Sequence, residues 1–237
     1  MTNFKGILVG ITTAVVATTF GAHSASAAPI SYTGYSFIGD NISISSPHVV
    51  SGGAGQITLT GVTGYTSNTI LAWCLDIYDF LQGNGTVNGG GQLPSPPPSP
   101  PLPNFNKIGG LMQEGNALVA QGSLNFDGVS WTKADLSAAA QVAIWAAEYG
   151  SLGYSISLSS QNSNSTNFAA LVQHLTDNAA AGVNYWTLTD ADGAPKNQTL
   201  GTLSPVPGPI LGGGLPGLIL AASGVFGWWR RKKVALA

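Results

Sequence analysis

The chain has 237 residues, 44% hydrophobic and only 8% charged, with 32 glycines, one cysteine and a formal net charge of −2. Five of its eight cations sit at the two ends: from Ala28 to Leu203 there are three lysines (Lys107, Lys133, Lys196), no arginine and all ten acidic residues, a local net charge of −7. Such a surface repels phosphate backbones, which argues against nucleic acid as a partner. Two histidines in this region, His48 and His174, are far apart and lack ligand spacing, so no zinc-type metal site and no cofactor are expected.

The first 27 residues read as a secretory leader. Lys5 supplies a positive start, Gly6 to Ala22 an apolar stretch, and Ala25-Ser26-Ala27 a small-residue cleavage site. Residues 28–203 are then an exported region, long enough for one domain with a sizeable core. Its richness in Gly, Ser, Thr and Asn suits an extracellular β-rich protein.

From Ile30 to Tyr65, apolar or β-branched residues alternate in SYTGYSFIG, NISISS and QITLTGV, with Gly39, Gly52-Gly53 and Gly61 as breaks. This predicts half-buried strands of an antiparallel sheet. Thr69 to Leu81, TILAWCLDIYDFL, is more continuously apolar and reads as a central strand, with a short buried helix as the alternative. Residues 83–103 are low in complexity, glycine-rich and then proline-rich. They read either as a surface loop inserted into the domain or as a ligand for a proline-binding module.

Helical sequence follows. Phe105 to Gln121 is weakly amphipathic. Thr132 to Tyr149 has cap candidates at Thr132 and Asp135, an alanine-rich run and a stop at Gly150. Ser165 to Ala181 places Phe168, Leu171, Val172 and Leu175 on one face. Val183 to Thr189 returns to strand alternation, and Asp190 to Ser204 reads as a polar tether. The order of elements predicts an α+β domain: an antiparallel β-rich body with two or three helices.

Cys74 is the only cysteine and has no disulfide partner in the chain, so a thiol in an oxidising compartment needs an account. Its frame is Trp73-Cys74-Leu75-Asp76. Sixty-seven residues later comes Ala140-Gln141-Val142-Ala143-Ile144-Trp145, on the strongest helix. Together these resemble the thioester domains of bacterial surface adhesins, with their aromatic-Cys-apolar strand and apolar-Gln-x-x-apolar helix. By that resemblance Cys74 and Gln141 are the bond-forming pair, flanked by Trp73, Leu75, Ala140, Ile144 and Trp145. The resemblance implies attack of the thiol on the Gln141 carboxamide with loss of ammonia, leaving an electrophile able to acylate a surface amine. A thiol is the strong nucleophile this needs, and a carboxamide the acyl group with an expendable amine. The apolar flanks would keep water from the bond. If strand and helix pack together, sulfur and carboxamide should be in contact. The other reading makes Cys74 a small buried hydrophobe and Gln141 a hydrogen-bonded helix residue.

At the C-terminus, Ile210 to Trp229 is an uncharged run of twenty residues, about the length of a membrane-crossing helix. Trp228 and Trp229 suit the interface, and Arg230, Arg231, Lys232 and Lys233 would stop transfer. The lead-in is Val206-Pro207-Gly208-Pro209. Residues 204–233 resemble the PEP-CTERM sorting signal of Gram-negative exported proteins. The resemblance implies a transient membrane anchor, cleavage near VPGP by an exosortase-type protease, and release to the cell surface or exopolysaccharide matrix.

The sequence thus predicts a sorted surface or matrix protein, adhesive and not an enzyme, with surface amines or exopolysaccharide as targets. Two rivals stand beside it: a hydrolase acting on exopolysaccharide through Asp76, Asp79 and Glu148, and a passive matrix component without covalent chemistry.

Overall fold

The computed structural model describes residues 29–78, 81–93, 102–159, 165–190 and 198–204. Residues 1–28, on which the expected leader falls, Asp79, residues 94–101 and everything beyond Ser204 lie outside them, including VPGP, the 210–229 run and Arg230 to Lys233. Among the described residues no helix is long and apolar enough to cross a membrane.

The domain is α+β, as expected: a large antiparallel sheet with three helices among the described residues. Alternation in the first segment gives β1 (Pro29–Tyr32), β2 (Gly34–Ser46) and β3 (Val50–Thr60), with Ile42 and Ile44 turned inward along β2. Gly61, at φ 61°, ends β3. Gly39 and Gly52-Gly53 do not act as the expected breaks. β2 and β3 pair straight through them, from Gly34↔Thr60 to Ile44↔Val50. Glycine suits both positions by close approach: a Cβ at Gly39 would meet the Ala54 carbonyl at 2.0 Å and the Phe37 ring at 2.7 Å, and one at Gly53 the same ring at 2.7 Å.

The apolar run 69–81 forms β4 (Thr69–Cys74) and ends as a strand at Cys74, with Leu75 and Ile77 still buried beyond it. Its glycine-rich neighbour overturns part of the expected loop. Residues Gly85–Leu93 are β5, held between β1 and a later strand. Glycine disfavours a strand, but two flanking ladders and the wholly buried Val87 outweigh local preference.

A 3-10 turn (Phe105–Lys107) leads into α1 (Ile108–Gln121). Next comes a hairpin that the sequence reading did not include, β6 (Ser123–Phe126) and β7 (Val129–Thr132), turning at Asp127-Gly128 with both φ positive. α2 (Lys133–Tyr149) starts with a full capping box: Asp135 N–H donates to Thr132 Oγ1, and Thr132 N–H to Asp135 Oδ2 at 2.8 Å. β8 (Gly153–Ser157) pairs with β2; α3 (Ser165–Asn178) buries the predicted Phe168, Leu171, Val172 and Leu175. β9 (Tyr185–Asp190) follows. The expected polar tether proves to be part of the domain at its end. β10 (Leu200–Thr202) is buried and inserts between β9 and β4. The full strand order is β1-β5-β9-β10-β4-β3-β2-β8.

α2 is the centre of this body. Every residue from Asp135 to Trp145 is buried, three turns without a wet face, as expected of a helix surrounded by core. It packs on α1, α3, β2 and β3. Its run of small alanines lets these neighbours approach closely.

Candidate functional site

β4 changes partners along its length. Its first half pairs with β3, from Thr60↔Thr69 to Ile57↔Ala72, and its end pairs with β10, Cys74↔Leu200. Beyond Ala72 the β3 side of β4 lies open, because the ladder between them ends at Ile57↔Ala72. α2 presents two polar side chains, one turn apart, to these strands. Ser137 Oγ accepts from Gln56 N–H at 2.7 Å and donates to Ile38 C=O at 2.6 Å, inserting a hydroxyl into the β2–β3 ladder. Gln141 does the same for β4: its Oε1 accepts from Cys74 N–H at 3.0 Å and its Nε2 donates to Cys74 C=O at 2.7 Å. The carboxamide stands in for a missing strand.

The Gln141 carboxamide is therefore in direct contact with the backbone of Cys74. Gln141 is 0% exposed and Cys74 5%. The acyl carbon lies between two atoms that both bond to the residue carrying the sulfur. The thiol itself donates to Gln198 Oε1 at 2.7 Å, and Gln198 Nε2 donates to Asp76 C=O. Gln198, 9% exposed, precedes β10 and was missed because its surroundings read as tether. Its only sequence signal is the short LGTL that follows, too short to show a period.

All five predicted flanking residues are buried at the site. Trp73 Nε1 donates to Asn116 Oδ1 at 3.1 Å, which also accepts from Gln56 Nε2 at 2.7 Å. α1 comes close enough for this at Gly115, where a Cβ would lie 2.7 Å from Trp73 and 2.8 Å from Ala140 Cβ. Leu75 N–H donates to Thr199 C=O at 2.9 Å, and Leu75 C=O accepts from Tyr149 Oη at 3.0 Å. Ile144 is fully buried, and the indole N–H of Trp145 is buried without an acceptor.

Burial, and secondarily the charge of Asp76, pushes the Cys74 thiol above its ordinary range, so the sulfur is protonated at neutral pH. Burial and Asp76 also raise the Glu148 carboxyl to about 8. Asp76 turns its Oδ1 to Tyr78 N–H at 2.7 Å, and Asp79 lies outside the described residues. His48 stacks on Tyr78 and His174 on Phe126; among the described residues no His, Cys, Asp and Glu gather as a metal-binding group.

A cavity of about 310 Å³ reaches Cys74. Cys74 and Gln198 lie at its buried end, Ile77 and Trp145 are among its walls, and Tyr35 and Phe37, 43% and 39% exposed, stand at its mouth. None of its lining residues is charged, and neither Asp76 nor Glu148 is among them. In comparisons with known proteins, no family model matches the chain, and no curated protein or solved structure is significantly similar to it.

Proposed function

We propose that the chain is an exported surface or matrix protein whose domain forms an internal thioester between Cys74 and Gln141 and uses it for covalent adhesion. The observation that carries this reading is the double hydrogen bond between the Gln141 carboxamide and the backbone of Cys74, which holds the acyl group beside the residue that bears the thiol. In the bond-forming step sulfur adds to the Gln141 carbonyl carbon, the carbon–nitrogen bond breaks, and ammonia leaves with the thiol proton. Gln198 Oε1 takes the thiol's hydrogen bond and so fixes the direction of the S–H before the proton passes to the departing nitrogen.

Export by the leader, anchoring through residues 210–229 and cleavage near Val206 to Pro209 by an exosortase-type protease are part of the same proposal, supported by the sequence pattern alone. Its targets are surface amines or exopolysaccharide. Intact mass is the test. The purified protein should be one ammonia lighter than its sequence, and methylamine should restore a free Cys74 thiol while adding to Gln141. Unmodified mass, unchanged by methylamine, would leave a non-covalent matrix protein.

That second reading has its own support: Gln141 spends its carboxamide completing a ladder, a sufficient structural role for a buried glutamine. The hydrolase reading has less, because the Asp76–Glu148 pair does not line the cavity.

A further inference from the structure

Resting on the thioester reading, we propose that the cavity over Cys74 is the acceptor site and selects a primary amine carried on a hydrocarbon stem or aromatic ring. Its size suits a small organic group, and its walls are aromatic and aliphatic, with polar atoms confined to a few places. An ammonium ion would find no carboxylate there to replace its water. An amine therefore reaches the sulfur only as the neutral base, which is also the form that can attack an acyl carbon.

The apolar stem supplies the binding energy that offsets this loss of hydration. Gln141 does not line the cavity, but in the bonded form its acyl carbon is attached to the sulfur that does. The amine nitrogen adds to that carbon, the carbon–sulfur bond breaks, and the proton shed by nitrogen ends on sulfur, giving an amide at Gln141 and a thiol at Cys74. Small hydrophilic amines have the same nucleophile but nothing to place against Phe37, Val50 or Ile77.

The test compares hexylamine with methylamine on the purified full chain, following adduct mass and thiol release. Hexylamine should react roughly ten-fold faster or more, as burial of its extra methylenes requires. Val50→Trp, which fills the cavity from its partly buried wall, should remove that preference. Equal rates for the two amines, or a preference unchanged in Val50→Trp, would overturn the proposal. A third arm separates it from the thioester reading: 1-hexanol, monitored by tryptophan fluorescence in Cys74→Ala, which cannot form the bond. Saturable binding that Val50→Trp abolishes supports the cavity as an apolar site even if no thioester forms. Absence of such binding counts against the site whatever the mass shows. Phe37→Ala, at the exposed mouth, gives a second variant that should weaken hexanol binding without touching the core.

Discussion

Gln141 lies beside Cys74 as a neighbouring strand would, giving one hydrogen bond to its backbone and taking one from it. Removing the side chain leaves a buried N–H and a buried C=O without partners. Gln141→Ala should therefore destabilise the domain by about 2–4 kcal/mol, read from denaturant midpoints. Gln141→Glu, which can accept but not donate when ionised, should cost a comparable amount at neutral pH. A loss below about 0.5 kcal/mol would mean that water or a relaxed β3 replaces the amide.

Asp40, on β2, faces the carboxylate of Asp135 at the start of α2, accepts from Ser159 Oγ, and has its Oδ2 buried without a donor. Burial, with help from Asp135, raises its pKa from 3.8 to about 6. The folded state therefore holds a proton that the unfolded chain releases. This contribution is fully present below pH 4 and is lost as pH rises through about 6. Asp40→Asn supplies a permanent donor toward Asp135 and should raise stability at pH 7 but not at pH 4. Thermal melts across that range would show it; a variant curve parallel to the native one would count against a shared proton.

Glu148 extends the same slope to higher pH. With its carboxyl raised from 4.5 to about 8, it too favours the folded state when protonated, and its contribution fades between those values. Glu148→Gln should flatten the stability profile between pH 5 and 8 while leaving the Asp40 step in place. The measurement is chemical denaturation at each pH, and an unchanged slope above pH 6 would exclude the effect.

Gly115→Ala tests how tightly α1 is held to the site. Alanine is the better helix former by about 1 kcal/mol, so a loosely packed helix would gain stability. Here the new methyl meets Trp73 and Ala140. The variant should instead lose about 1–3 kcal/mol and alter the near-ultraviolet signal of Trp73, because its indole must leave Asn116.

What the sequence made legible was whatever local chemistry controls. The ends of α2 followed from Thr132, Asp135 and Gly150, the buried face of α3 from its spacing, and the strands of the first segment from alternation. The contact of Cys74 with Gln141 was foreseeable only through a family pattern, since no periodicity relates residues 67 apart. What escaped was set at long range. β5 is a strand because β1 and β9 flank it, against the preference of its glycines. β10 has three residues, fewer than any pattern needs, and Gln198 reaches the thiol only because β10 slots beside β4. Ser137 looks like an indifferent helix serine until β2 and β3 surround it.

The placement of β10 also makes the domain mechanically lopsided. Tension on the chain beyond Ser204 enters through a strand in the middle of the sheet, where ladders to β9 and β4 share it. Tension at Pro29 meets β1 at the sheet's rim, held by one ladder to β5 and a short bridge from Ser31 to Thr63. A load applied from the C-terminal side thus reaches the strand that carries Cys74 before it can strip the domain from its edge.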